Sequence, residues 1–340
     1  MTQTHKPRIG ITLGDYNGVG PEVVLKALSD NRILTLITPV IYGSTRVISY
    51  YKKLFNIDEL NYTQVRNKGQ YAQKGINVIN ASSEDTFEIN PGRASPESGK
   101  AAFIALKLAS SELKEGHIDA LVTAPIDKHT IHSDEFPFKG HTEFLTQFFE
   151  ASESLMFMIS DKLRVGLVTE HIPVKDIAAS LTKEKIESKL KVMDHSLRKD
   201  FGIVKPKIAV LGLNPHAGDN GLLGEEENLI IRPVIADQKN KGRLVYGPFP
   251  ADGFFAAGTY SKYDGVLAMY HDQGLVPFKS IAFGDGVNFT AGLPVIRTSP
   301  DHGTGYGIAG KNQANEGSLR EAIYQAAEIF RQRNEPSKEK

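Results

Sequence analysis

Short, mainly apolar runs recur along the chain, separated by longer stretches in which apolar positions return every three or four residues. The runs are Arg8–Leu13, Thr38–Tyr42, Ile76–Ile79, Ile118–Thr123, Leu163–Val168, Ile208–Leu213 and Gly265–Tyr270. Each has the length and continuity of a strand buried on both faces. The periodic stretches predict helices at Val23–Leu28, Ser44–Phe55, Ser95–Glu115, a run from Gly140 to about Phe149, Lys183–Phe201, Gly224–Lys241 and Asn315–Arg333. Pro21 suits a first helical turn, and Ser95-Pro96-Glu97 supplies a cap, a first-turn proline and an acidic residue at the positive end of the dipole. Strands alternating with helices predict an α/β fold with a mostly parallel sheet covered on both faces. Asn334 to Lys340 reads as a frayed tail.

Three of the strands hand over a histidine at their carboxyl ends: Thr169-Glu170-His171, Asn214-Pro215-His216 and Tyr270-His271-Asp272-Gln273. In an open parallel sheet the crevice outside those ends is where ligands sit. Neutral imidazole is the commonest protein ligand for divalent metals, and three with an open position suit a catalytic centre. His171, His216 and His271 are therefore expected to form one metal site.

Glycine-rich segments follow the first strand and close the chain. Gly14-Asp15-Tyr16-Asn17-Gly18-Val19-Gly20-Pro21-Glu22 links a strand to a helix without the dinucleotide spacing, and Gly92–Lys100 lacks the spacing of a phosphate loop. Gly305-Tyr-Gly307-Ile-Ala-Gly310 has the Gly-x-Gly-x-x-Gly spacing, but Thr298–His302 before it reads as polar turn and no acidic-ended strand follows. A flexible loop around a ligand is expected there. Lys279, Asn288 and Arg297 offer a compact charge, an amide and a planar donor fork, a set that suits phosphate. Asp252 is either a helix cap or a site carboxylate, and Thr142 could cap the helix that contains Glu143. His5, His117, His129, His132 and His195 are expected at the surface with no role.

Composition narrows the classes. The chain has 340 residues, 40 basic and 40 acidic, so no global field draws it to nucleic acid or membrane. That length holds two domains or one large α/β domain with a deep cleft. Without cysteine, disulfides, iron–sulfur clusters and thiolate zinc sites are excluded. The N-terminus is short and polar, and no apolar run approaches the ~20 residues that span a bilayer. A cytoplasmic enzyme or binding protein is the expectation.

Gly14-Asp15…Gly18-Val-Gly20-Pro21-Glu22, Ser95–Gly99, Ala124-Pro-Ile-Asp-Lys128, Gly140-His-Thr-Glu143, Asn214–Gly218, Gly247–Asp252 and Tyr270–Gly274 together resemble the 4-hydroxythreonine-4-phosphate dehydrogenase family of pyridoxal 5′-phosphate biosynthesis. More distantly, the Gly14 loop and His302…Asn312 are similar to loops of isocitrate and isopropylmalate dehydrogenases. The resemblance implies two α/β/α domains with an active-site cleft between them, drawn at 1–135 plus 298–340 and at 136–297. It implies NAD or NADP as cofactor and one divalent cation (zinc, magnesium or cobalt) shared by two subunits of a homodimer on His171, His216 and His271.

It further implies substrate contacts from His141, Thr142, Lys279, Asn288 and Arg297. Cofactor contacts would come from Gly14, Asp15, Gly18, Gly20, Gly303, Gly305 and Asn312, and Asp252 or Lys279 would handle the hydroxyl proton. The implied reaction oxidises 4-phosphooxy-L-threonine to a β-keto acid that loses carbon dioxide to give 3-amino-2-oxopropyl phosphate. Two segments depart from the family pattern: Tyr16-Asn17 stands where Pro-Ala is usual, and Asp127 where Asn is typical. Alternatives are a paralogous dehydrogenase of a phosphorylated hydroxy acid such as 4-phospho-erythronate and, more remotely, a three-histidine metal hydrolase.

Overall fold

The structure, a computed structural model, describes residues 6–81 and 87–335. His5 and the tail beyond Glu335 lie outside the described residues. The chain forms two compact units, one from Met1–Ala151 with Leu293–Asn334 and one from Ser152–Gly292.

In the first unit, β1 (Arg8–Thr12), α1 (Gly20–Leu28), α2 (Asn31–Leu36), β2 (Thr38–Gly43), α3 (Thr45–Phe55), β3 (Tyr62–Val65), β4 (Ile76–Asn80), α4 (Pro96–Lys114), β5 (Ala120–Thr123) and α5 (His141–Phe148) follow in order. Helix starts are set by side chains: Ser44 accepts from Arg46 N–H and Ser95 from Ser98 N–H. The second unit holds β6 (Leu155–Ile159), β7 (Arg164–Leu167), α6 (Ile177–Ser180), α7 (Lys183–Lys199), β8 (Lys207–Leu211), α8 (Arg232–Asn240), β9 (Leu244–Phe249), α9 (Ala251–Ala256), β10 (Gly265–Ala268), α10 (His271–Ile281) and β11 (Val287–Ala291). The chain then returns to the first unit as β12 (Arg297–Pro300) and α11 (Gly317–Asn334).

Within the first unit the strands run β3-β4-β2-β1-β5-β12, all parallel. Strand order reverses between β1 and β5, so the loops after these two strands flank the topological switch point. In the second unit the order is β11-β6-β7-β10-β8-β9, with β6 antiparallel to both neighbours and the other pairings parallel. The central strands β1, β2, β5, β7, β8 and β10 are buried along nearly their whole length. Each buried Val, Leu or Ile contributes about 1.5–3 kcal/mol.

Several expectations change. Thr298–His302 is not turn throughout: Arg297–Pro300 is a buried strand paired in parallel with β5, its Thr298 hydroxyl donating to the Ala322 carbonyl. The glycine run that follows still does not open a helix, since α11 begins only at Gly317. Thr142 caps nothing: it lies inside α5, whose N-cap is Gly140. Asp252 is likewise no cap, because α9 starts behind Pro250. The helix expected from Gly224 opens later, with a π-turn at Glu227–Ile231.

The units exchange chain at Ala151/Ser152 and Gly292/Leu293, where 135/136 and 297/298 were expected. The reason is packing: Phe144 of α5 sits against Phe103 of α4 and against Phe136, at ring distances of 6.1 and 5.5 Å.

Candidate active site

At the switch point of the first unit, two loops are clasped together. Residues 11–20 are all buried. Asp15 is fully buried: its Oδ1 accepts from Asn17 N–H at 2.9 Å, and its Oδ2 from Ser98 at 2.8 Å and Tyr306 at 2.9 Å. Burial raises its carboxyl above the ordinary value, against the pull of these hydrogen bonds. Val19 N–H donates to the Thr304 carbonyl at 2.8 Å, and a Cβ on Gly18 would stand 2.7 Å from that oxygen. Glu22 accepts from Ala314 N–H at 2.8 Å while Lys26 donates to the Ala314 carbonyl at 2.9 Å.

Gly14, Asp15, Gly18 and Gly20 are thus committed to protein contacts. Gly303, Gly305 and Asn312 are exposed on the partner loop. Tyr16 is buried with its ring 4.9 Å from Phe87, and Asn17 accepts from Asn90 N–H, so this departure ties the first loop to residues 87–92. Asp127 accepts from His129 and Thr130 N–H, both at 2.9 Å. An asparagine carbonyl could accept the same two bonds.

Also in the first unit, β12 and α5 build a cationic corner. Arg297 is 2% exposed and donates through Nε and Nη2 to Thr123 Oγ1 at 3.1 and 2.6 Å. Burial pulls its guanidinium down to about 9, and nearby Glu143 works the other way. It stays charged at neutral pH. His141 is held well below the ordinary histidine value, first by burial and then by the charges of Arg297 and Lys128. Its imidazole is neutral, with Nε2 buried and unpartnered. Two cations beside a buried polar atom with no protein partner fit an anionic ligand. Lys128 was missed by the sequence reading, although it closes the quoted segment after β5.

In the second unit the carboxyl ends of β7, β10, β8 and β9, neighbours in that order, deliver His171, His271, His216 and Asp252. The His171 and His271 rings lie 5.7 Å apart. His271 is the first residue of α10, and its Nδ1 faces Asp272 Oδ1 at 2.7 Å, a pairing that leaves Nε2 for a ligand. His216 does not complete the set within one chain: among the described residues no group of three or more His, Asp or Glu side chains could hold a metal ion. It lines, with Asp252, a cavity of about 690 Å³.

Residues His216 to Asn220 have positive φ throughout, a left-handed winding that costs about 1–2 kcal/mol for each non-glycine residue. Gln273 staples the strand ends, accepting from Met269 N–H at 2.7 Å and donating to the Gly212 carbonyl at 2.6 Å. Thr169 joins in by donating to the Met269 carbonyl at 2.8 Å. Lys279 is exposed on the last turn of α10, and Asn288 stands in β11 with Oδ1 buried and unpartnered.

His129, His132 and His195 are exposed, as expected, and His117 is half-buried. No helix among the described residues is long and apolar enough to cross a membrane.

Comparison with known proteins agrees with this architecture. The chain is 51% identical over 332 residues to the 4-hydroxythreonine-4-phosphate dehydrogenase of Bacteroides thetaiotaomicron, covering 97% of this chain and 91% of that protein. A relative from Oceanobacillus iheyensis, named provisionally as a D-threonate 4-phosphate dehydrogenase, is 38% identical over 95% of this chain and 98% of its own length.

The crystal structure of 4-hydroxythreonine-4-phosphate dehydrogenase from Klebsiella pneumoniae superposes with a TM-score of 0.85 at 35% identity, covering 97% of this chain and 99% of that one. A β-decarboxylating dehydrogenase from Thermococcus kodakarensis shares the fold alone, with a TM-score of 0.50 at 14% identity over 96% of this chain and 83% of that one. The family described as pyridoxal phosphate biosynthetic protein PdxA matches residues 35–326, and the chain belongs to that family.

Proposed function

We propose that the chain oxidises the secondary hydroxyl of 4-phosphooxy-L-threonine with NAD or NADP, the β-keto acid then losing carbon dioxide to give 3-amino-2-oxopropyl phosphate. The observation that carries this reading is the corner of Arg297, Lys128 and neutral His141, whose buried Nε2 has no protein partner. Such a corner suits the anionic end of a small phosphorylated acid. Thr142 follows His141 in the first turn of α5. Lys279 and Asn288 are assigned to the same ligand on the family likeness alone.

His171 and His271 fit a divalent cation as a pair, the Asp272 contact fixing the His271 ring. A third imidazole from a second copy, equivalent to His216, would complete a three-histidine set, which is why a homodimer belongs to this reading. When bound, the cation supplies acidity to the substrate hydroxyl and offsets charge on the ketone oxygen, and the nicotinamide supplies the hydride acceptor. Gly303, Gly305 and Asn312 are the exposed positions suited to hold the cofactor. Asp252, on the cavity wall with His216, is the carboxylate assigned to the hydroxyl proton, with Lys279 as the cationic alternative.

The test follows NADH formation by purified protein with 4-phosphooxy-L-threonine and NAD, before and after chelation and metal return. Metal-dependent NADH supports the reading. A second reading, a dehydrogenase of a phosphorylated sugar acid, is favoured by the Oceanobacillus relative. It would give NADH only from D-threonate 4-phosphate or 4-phospho-erythronate. Phosphate release without cofactor would replace both with a hydrolase.

A further inference from the structure

We infer that Glu227 is a positioning residue that fixes where His216 points. The inference rests on the metal-ligand reading of His216 proposed above. Glu227 is 1% exposed and opens the π-turn ahead of α8. One carboxylate oxygen accepts from the backbone N–H groups of Leu213 and Asn214 at 2.7 and 2.8 Å, and the other from the Asn214 side-chain amide at 3.0 Å. All three donors lie immediately before the left-handed turn Pro215–Gly221 that carries His216.

The turn is built around this carboxylate. A Cβ on Gly218, inside the turn, would come within 2.6 Å of Glu227 Oε2, and one on Gly212, before it, within 3.1 Å of Oε1 and 2.9 Å of Ala217 Cα. Gly218 also sits at φ +79°, where a side chain is strained in any case. Within and after the turn, backbone bonds run from Ala217 N–H to the Asn214 carbonyl, Leu222 N–H to that of Asp219 and Leu223 N–H to that of Gly218, while Glu227 is what anchors the Leu213 and Asn214 amides at its entry. Both Glu227 carboxylate oxygens are turned to Leu213 and Asn214, and Glu227 opens a π-turn, a distortion common at functional sites. Its effect on the site passes through His216.

The test measures Zn²⁺ affinity by competition with a chromophoric chelator, alongside thermal unfolding, for the parent, Glu227→Gln, His216→Ala and the double variant. Glu227→Gln turns an acceptor into an amide donor facing the Asn214 amide. It is expected to weaken Zn²⁺ binding by about ten- to a hundredfold, the range for residues that orient metal ligands. The double variant is expected to bind no more weakly than His216→Ala, because the two changes remove one interaction.

If Glu227→Gln unfolds more easily yet binds Zn²⁺ as tightly as the parent while His216→Ala does not, the positioning role is overturned and the metal reading stands. If His216→Ala binds Zn²⁺ like the parent, the metal reading of His216 falls, and this inference with it. Should Glu227→Gln fail to fold, Glu227→Asp, which keeps the charge but draws the carboxylate back from the Leu213 and Asn214 amides, enters the same titration. Unchanged affinity there would equally overturn the role.

Discussion

Tyr306 donates its phenol to Oδ2 of Asp15 at 2.9 Å across 291 positions of sequence. This bond closes the clasp between the glycine loop after β1 and the glycine loop before α11. Tyr306→Phe removes a donor to a buried carboxyl group and is expected to cost about 1.5–3 kcal/mol of stability. Because the exposed Gly303–Gly305 backbone hangs from the same clasp, the KM for NAD should rise about fivefold or more while kcat changes less. Steady-state kinetics with NAD varied would check this, and an unchanged KM would detach the clasp from cofactor binding.

Arg297 presents a planar fork from a buried strand, braced by Thr123. Arg297→Lys keeps the charge but loses the fork, so kcat/KM for the phosphorylated substrate should fall by at least about a hundredfold, which is about 2.7 kcal/mol. Metal content by elemental analysis should stay the same. An equal loss of metal would show that Arg297 supports the histidines and not the substrate.

His141 gives a signed pH dependence. Burial, with Arg297 and Lys128 nearby, holds its folded pKa well below the ordinary 6.5. As pH falls through that value, an unfolded His141 gains a proton and the folded one does not, so acid destabilises the native state. The contribution is at most about 1.4 kcal/mol per pH unit for one proton. His141→Gln should flatten the fall in unfolding free energy on the acid side of 6.5. A slope identical to the parent's would mean that His141 charges readily in the folded protein.

Gln273 joins the ends of β10 and β8 through two short hydrogen bonds. Gln273→Leu leaves Met269 N–H and the Gly212 carbonyl without partners, at about 1–3 kcal/mol each. Chemical denaturation should show a loss within that sum. A loss below about 0.5 kcal/mol would indicate that water replaces the amide at little cost.

Much of the α/β frame could be read from apolar runs, since the runs that became β1, β2, β5, β7, β8 and β10 are mainly apolar, and the polar residues buried in them are few, such as Thr12, Thr38 and Thr123. The unread strands have different causes. Arg297-Thr-Ser-Pro300 is polar and yet buried, satisfied by Thr123 and the Ala322 carbonyl, and no local pattern announces partners so distant in sequence. Helix α10 contains Gly274 and Pro277, which read as breakers. Gly274 is needed there because a Cβ would stand 2.8 Å from Val165. Of the site, the histidines at strand ends were legible as a recurring grammar, whereas the left-handed turn under His216 and the carboxylate behind it were not. Backbone handedness leaves only a faint mark in the letters Pro-His-Ala-Gly-Asp-Asn-Gly.

The first unit is interrupted by the second. Its β12 pairs with β5 through Arg297 and Leu121, while Ser152–Gly292 forms a unit of uninterrupted chain. During synthesis the inserted unit is therefore complete before its host, whose strand β12 and helix α11 emerge only after it. A folded insert would also hold its two ends in a defined relation, sparing the host much of the entropy of closing so long a loop. In refolding followed by pulsed hydrogen exchange, the amides of β7, β8 and β10 should be protected ahead of those of β5 and β12. The reverse order would show that the host assembles around an unfolded insert.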